Sequence, residues 1–340
     1  MPTDRECSVG IDLGQTQVQV TVAGPTQDVA GWRTWPQVQV AGRPDTPAVV
    51  AQLRAWVGQQ TGTGARCRAV VVEATGSLSR RFARAWAAAG GQPDVTIVNP
   101  ARPRALARAL GWRDKTDRQD AALLAVYGLT PAVRPPVPRR PVQEQLAELT
   151  RLRATYVAAH TEWGNRWREV DTAAARAVMA QTRQHLQAQV AALDAAIAAV
   201  VASDTDLAAQ VAALCQLPGI KQVVATTLLA ELGDLGQYTR RHLVARAGLY
   251  PRQYVSGTSV WRRPRLAKGG GAPVRRVLYL AATAVLRSRG PLRAYADRLR
   301  HRGLPPMVIL GGLMRKLLLI ARAVLKHQGV YDATQIGCTT

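Results

Sequence analysis

Apolar and polar residues alternate near the start of the chain: Val9 and Ile11, then Val18, Val20 and Val22, then Val38 and Val40. Period-two spacing of this kind predicts half-buried strands. Gly14 and the Gly24-Pro25 pair interrupt it, so three short strands are expected in succession. Pro47 to Gln59 reads as a helix. Two nearly unbroken apolar strands follow, Ala69 to Val72 ending in Glu73 and Val95 to Val98 ending at Asn99-Pro100, separated by a helix from about Leu78 to Ala89. Continuous apolar strands alternating with helices imply a sheet covered on both faces.

Beyond residue 130 the pattern changes. Pro131, Pro135, Pro136, Pro138 and Pro141 predict a stiff linker. Between Val142 and Ala202, apolar residues step by three or four, from Leu149, Leu152 and Tyr156 to Val190, Leu193 and Ile197, which suits two long helices or a short coiled coil. Trp163 and Trp167 read as packing residues there. From Leu214 onward the chain is again expected to be helical, and LPGIKQVVATTLLAELG (Leu217 to Gly233) reads as a tight turn and helix of the helix-hairpin-helix kind. The predicted class is therefore α/β plus α. A ribonuclease-H-like mixed sheet, whose order of elements the first 130 residues follow, is joined by a linker (131–141) and coiled-coil helices (142–204) to a mainly helical region (205–340).

Charge changes the picture most. The 340 residues carry 45 Lys/Arg against 22 Asp/Glu, a formal net charge of +23. Residues 205–340 hold 21 of the basic residues and only 5 acidic ones, and between Arg240 and Arg302 there are 16 basic residues and the single acid Asp297. A surface so one-sided implies a polyanionic partner, and nucleic acid is the first expectation. The stretch Met307 to Leu325 is interrupted by Arg315, Lys316 and Arg322, and no membrane span is expected. The start, MPTDREC, lacks the basic-then-apolar pattern of a signal peptide, so a cytoplasmic, nucleoid-associated protein is expected. Cys7, Cys67, Cys215 and Cys338 form no C-x-x-C pair, which argues against a zinc site or a disulfide scaffold.

Candidate chemistry centres on four carboxylates. Asp12 ends the first strand in VGIDLG and Glu73 ends the fourth in VVVEATG. Each alone is a common surface feature; two such strand ends together suggest a shared cleft. In KTDRQDA, Asp117 and Asp120 are three residues apart at the start of a helix, which places both on one face. Helix capping would need only one of them. Four carboxylates from two strand ends and one helix match the hard-oxygen ligands of Mg2+ in a two-metal phosphoryl-transfer site. Ser256-Gly257, taken by itself, reads as a turn dipeptide.

Together with NPARPRALARALG, LPGI, AELGD, ARAGLYPRQYVSG and VRRVLYLAA, these motifs resemble, in order and over nearly the whole chain, the DEDD-type insertion-sequence transposases known as bridge-RNA-guided recombinases. The resemblance implies a RuvC-like domain whose Asp, Glu, Asp, Asp tetrad falls on Asp12, Glu73, Asp117 and Asp120, binding Mg2+ with Mn2+ as a substitute. It implies a C-terminal transposase domain whose nucleophile falls on Ser256 and forms a covalent link to DNA. Arg252, Arg262, Arg263, Arg265 and Lys268 lie close to that serine in sequence, and Arg275 and Arg276 in VRRVLYLAA complete the expected nucleic-acid-binding set. The partners implied are donor and target double-stranded DNA, a guide (bridge) RNA and further copies of the chain, as a dimer or tetramer that shares active sites. The sequence departs from the family after EATG, where Ser77-Leu78 stands in place of an aromatic residue, and after Ser256-Gly257, where TSVWRRPRLAKGGG replaces a glycine-rich segment. The competing expectations are a junction-resolving endonuclease, which needs the tetrad but no serine, and a non-catalytic basic architectural protein, which needs neither.

Overall fold

The structure, a computed structural model, describes residues 6–24, 29–61, 66–131, 133, 140–256, 260–267 and 269–327, with the backbone alone for 254–256 and 260–263. The chain divides into two compact units, residues 1–138 and 139–340.

The first unit runs β1 (Glu6–Leu13), β2 (Gln17–Ala23), β3 (Gln37–Ala41), α1 (Pro47–Thr61), β4 (Arg66–Glu73), α2 (Ser77–Ala88), β5 (Val95–Val98), α3 (Ala101–Ala109) and α4 (Asp117–Leu129). The strands form one sheet in the order β3-β2-β1-β4-β5. Only β2 runs against the others, since β1 pairs antiparallel with β2, β2 antiparallel with β3, and β4 parallel with both β1 and β5. This mixed α/β arrangement is consistent with a ribonuclease-H-like fold, and the strands lie where the period-two pattern placed them. One short element was not foreseen, a 3-10 turn at Val29–Thr34 that buries Trp32.

Alternation sorts each strand's side chains between two layers. On one side Val9, Ile11, Val18, Val20, Val70 and Val72 pack with Val50 and Leu53 of α1 and Phe82 and Trp86 of α2. On the other side lies α4, and it lies unusually close. A Cβ on Gly10 would fall 2.0 Å from the Ala121 carbonyl oxygen and 2.3 Å from the Ala125 nitrogen, so α4 rests directly on the backbone of β1. Two residues back along β1, Gly128 of α4 meets Ser8, whose hydroxyl donates to the Ala69 carbonyl at 3.2 Å. Ala121, Ala122 and Ala125 are fully buried at this contact. Cys7 and Cys67 turn out to be register partners on β1 and β4. The Cys67 thiol donates to the Ala69 carbonyl at 3.6 Å.

The second unit contains α5 (Pro141–Arg166), α6 (Ala173–Ala202), α7 (Thr205–Cys215), α8 (Gln222–Leu232), α9 (Arg240–Ala247), β6 (Pro251–Ser256), β7 (Val260–Leu266), α10 (Ala272–Leu286), α11 (Pro291–His301) and α12 (Pro306–Lys326). Pro141 does not break structure but opens α5, where a missing N–H costs nothing; Pro135, Pro136 and Pro138 lie outside the described residues. The helices α5 and α6 form an antiparallel hairpin tied by Arg153 to Asp194 at 2.5 Å. Trp163 and Trp167 in it are half-buried, each beneath an arginine, Arg166 and Arg183. Among the described residues α6 alone is long and apolar enough to cross a membrane by length and composition, with a mean hydropathy of 1.4 over 18 residues, where the sequence reading expected none. Its buried seam is Met179, Leu193, Ile197, Val200 and Val201. Leu146 of α5 and Ile197 of α6 join α7, α8, α10 and α12 in one core, so the base of the hairpin belongs to this unit.

Gly219, at φ +78°, makes the turn between α7 and α8, and a Cβ there would lie 2.5 Å from the Ala281 carbonyl of α10. The β6–β7 ribbon corrects the expectation of helix from Leu214 onward. Its two short segments, PRQYVS and VWRRPRL, are rich in arginine and carry no clean alternation of apolar and polar residues. Pro264 is tolerated because each strand has a free edge.

The backbone contact at Gly10 generates a prediction. Gly10→Ala must push α4 off β1, because a backbone carbonyl cannot rotate away as a side chain can. A loss of about 1–3 kcal/mol or more is expected in urea unfolding; an unchanged midpoint would show that α4 can retreat freely.

Candidate active site

On β1, Ser8, Gly10 and Asp12 share the face that meets α4, and on β4 so do Ala69, Val71 and Glu73. Both carboxylates therefore emerge at the strand ends on the α4 side. The helix runs antiparallel to β1, since Gly10 meets Ala121 and Ala125 while Ser8 meets Gly128. Advancing two residues along the strand covers about 6.6 Å, which corresponds to going back four or five residues along a helix. From the Gly10 contact this step arrives at Asp12 on one element and at the first turn of α4 on the other.

That turn holds Asp117 and Asp120. The cap is neither of them: Thr116 accepts from the Gln119 N–H at 3.2 Å. Both aspartates are thus left over from the capping requirement. Asp117 instead accepts from Gln17 Nε2 at 3.2 Å, and Gln17 accepts in turn from Gln39.

The electrostatics show all four carboxylates in one field. Asp12 is pushed up to about 6, first by burial and then by the charges of Asp120, Asp117 and Glu73. Asp120 is raised as well, mainly by burial and further by Asp117, against the opposing charges of Lys115 and Arg104. Arg104 of α3 also reaches Glu73 at 3.4 Å, so one guanidinium serves two members of the cluster. Arg104, Lys115 and Gln17 were missed by the sequence reading; Arg104 stands within the quoted NPARPR but carries no signal of its own. Among the described residues, no three carboxylate, imidazole or thiolate groups are drawn together closely enough to hold a metal ion as they stand. The donor chemistry nonetheless suits one. The groups are hard oxygens, and Asp12 is raised by three like charges that a divalent cation would offset.

In the second unit, the backbone of Ser256 ends β6 and pairs with Val260, at the tip of the ribbon. Its partner in the dipeptide, Gly257, lies outside the described residues, as do Lys268 and the side chains of Ser256, Arg262 and Arg263. Arg252 and Arg265 are exposed and directly opposite one another on the two strands. Like charges in that position are destabilising unless an anion lies between them. Arg276 is exposed on α10. Arg275 is engaged otherwise: its guanidinium donates to the carbonyls of Ala247 and Gly270, and burial lowers its pKa. It fastens the end of α9 to the loop before α10.

A sheet with carboxylates gathered at its strand ends, followed by a basic helical unit, is the layout of the DEDD transposases. Residues 9–173 match the DEDD transposase family of the IS110 type, described as Transposase, and residues 211–297 match the family described as Transposase IS116/IS110/IS902. The chain belongs to the IS110 family of transposases, and is accordingly an enzyme of DNA transposition or recombination. It is similar to the pilin gene-inverting proteins of Moraxella bovis and Moraxella lacunata, each 29% identical over 267 residues, covering 77% of this chain and 81% of theirs. An insertion element IS110 protein of Streptomyces coelicolor, described as uncharacterized, is 31% identical over 121 residues, 35% of this chain and 30% of that protein.

The raised Asp12 carboxyl has a measurable consequence. A group whose pKa is higher in the fold than in the unfolded chain contributes stability that is complete below the unfolded value, near 3.8, and is lost as pH rises through about 6. Asp12→Asn cannot ionise and escapes that loss. In EDTA the variant should melt above the wild type at pH 7.5, the gap should close toward pH 4, and added Mg2+ should raise the Tm of the wild type alone. Equal melting temperatures at pH 7.5 would refute the crowding of the four carboxylates.

Proposed function

We propose that this transposase cuts and rejoins double-stranded DNA with two sets of residues, the tetrad Asp12, Glu73, Asp117 and Asp120 and the nucleophile Ser256, under direction of a guide RNA encoded by its element. The observation that carries the reading is the docking of α4 on β1 through Gly10, which puts two first-turn aspartates beside the strand-end carboxylate of Asp12. The four carboxylates would hold Mg2+, or Mn2+ in its place, and a bound cation would supply charge stabilisation to the phosphoryl group under attack.

The chain's own residues do the rest. Arg104 holds Glu73 and balances Asp120 before a cation arrives. Gln17 orients Asp117. Ser256 Oγ attacks a backbone phosphorus; the bond from that oxygen to phosphorus forms as the bond to the leaving sugar oxygen breaks, the serine proton is released, and the leaving oxygen is protonated. Attack of a second strand end on the phosphoserine reverses these bonds and frees the serine. Arg252, Arg265 and Arg276, together with Arg262, Arg263 and Lys268, bind phosphates, while Arg275 positions the segment they stand on. Sequence choice would rest on pairing between RNA and DNA, with the protein reading backbone and shape. Residues 1–130 act as the metal-binding domain, 142–204 as the coiled-coil connector, and 205–340 as the transposase domain. The active assembly is a dimer or tetramer.

The test separates the two sets. Asp117→Asn and Asp120→Asn should abolish strand cleavage while DNA binding persists with a salt slope of roughly −0.9 per phosphate neutralised. Ser256→Ala should fold and bind but yield no protein-DNA adduct on denaturing gels. Normal recombination by Ser256→Ala, with the aspartate variants inactive, would make the protein a metal-dependent nuclease of the junction-resolving kind.

A further inference from the structure

Helix α3 starts shortly after β5 ends, and Val98 at that end is the register partner of Glu73. The first turn of α3 therefore stands beside the strand end that carries Glu73. One side of the helix is spent on packing: Pro103 is buried, and Leu106 packs against Val71, Val98, Leu124 and Tyr127. On one flank Arg104 and Arg108 follow each other four residues apart, which stacks them one turn above the other, and both are exposed. They belong to a basic border: residues 101–118 hold six Lys/Arg against Asp114 and Asp117. It adjoins the carboxylates and lies outside the basic stretch that dominates the second unit.

The two arginines are not in the same condition. Arg104 Nη2 lies 3.4 Å from Glu73 Oε1, and its charge also acts on Asp120. Among the described residues Arg108 has no carboxylate partner. The hold on Arg104 is slight. Its side chain is 65% exposed and only one of its nitrogens reaches the carboxylate, so in water the contact is readily exchanged. A guanidinium with most of its donors unused is better matched by the paired oxygens of a phosphate. While the four carboxylates are uncompensated they repel a phosphate, and the charge of Arg104 is needed where it is.

We propose that α3 carries the backbone of the DNA strand past the carboxylates, with Arg108 on one phosphate at all times and Arg104 on its neighbour only after Glu73 has released it to hold a cation. Glu73 Oε1 cannot serve the guanidinium and a cation together, so Arg104 changes partner as the site is loaded. DNA is then gripped closely at the carboxylates only when they are equipped to act on it. The proposal rests on the reading of the four carboxylates as a cation site for DNA cleavage.

The experiment uses the full chain. Mn2+ uptake is followed by electron paramagnetic resonance without DNA, and binding of an end-labelled duplex by fluorescence anisotropy over a salt series, in EDTA and in saturating Ca2+, which stands in for Mg2+ so that the DNA stays uncut. In EDTA, Arg104→Ala should have the salt slope of the wild type. In Ca2+ the wild-type slope should be steeper than that of Arg104→Ala by about 0.9, the share of one phosphate. Arg108→Ala should lose about 0.9 under both conditions. Both side chains are exposed, so neither change disturbs the core. An Arg104→Ala slope that matches the wild type in Ca2+ as well, or that falls equally in EDTA and in Ca2+, overturns the exchange. An Arg108→Ala slope unchanged in both conditions overturns the two-phosphate path. If the wild type takes up Mn2+ and either result is found, the carboxylate reading stands without this proposal; if it takes up no Mn2+, both fall.

Discussion

The first unit depends on one contact, the backbone of α4 lying on the backbone of β1 where Gly10 has no side chain. Dispersion and close packing reward that approach only if both surfaces are small, and Gly10, Ala121, Ala125 and Gly128 supply them. The helix has little freedom to slide, because Ser8 and Gly128 form a second fixed point two residues along the strand. With two points fixed, the start of the helix must fall beside the end of β1. The carboxylate cluster therefore follows from packing that lies several ångströms away from it.

The cluster is formed against its own repulsion. Burial and three like charges act on Asp12 in the same direction, and Arg104 and Lys115 oppose the accumulated charge at Asp120. Under the function proposed above, a bound cation would offset that repulsion. The second unit has the opposite problem: Arg252 faces Arg265 across a narrow ribbon, in a region with one acid to 16 bases. Each unit carries an excess that the chemistry of DNA cleavage would relieve, one through a cation and the other through phosphate.

Much of this was legible in the sequence, and the exceptions have physical reasons. The strands of the first unit could be read because each buries a face, which leaves its mark as alternation at Val18, Val20 and Val22. The four carboxylates could be marked as candidates because strand-end carboxylates and an i, i+3 aspartate pair are local patterns, and their places on β1, β4 and the first turn of α4 are where those patterns put them. The ribbon at Pro251–Ser256 and Val260–Leu266 could not, since two short arginine-rich segments carry no alternation to mark them as strands. The role of Gly10 could not either: a glycine inside an apolar strand says that something approaches, and only the fold says that it is α4. Arg104 and Gln17 reach the cluster from elements distant in sequence. Arg275 has a structural part that the sequence did not show, its Nη1 donating to the carbonyls of Ala247 and Gly270.

Thr116 has a consequence for how such a protein decays. Because a threonine and not an aspartate closes the start of α4, the helix does not need Asp117 or Asp120 in order to form. Under the function proposed above, a single base change at either position would silence the enzyme and leave its architecture whole, whereas a change at Gly10 would remove both at once. On that reading, copies of the gene that lose these aspartates would go on producing a folded, strongly basic protein that would compete with the active form for DNA.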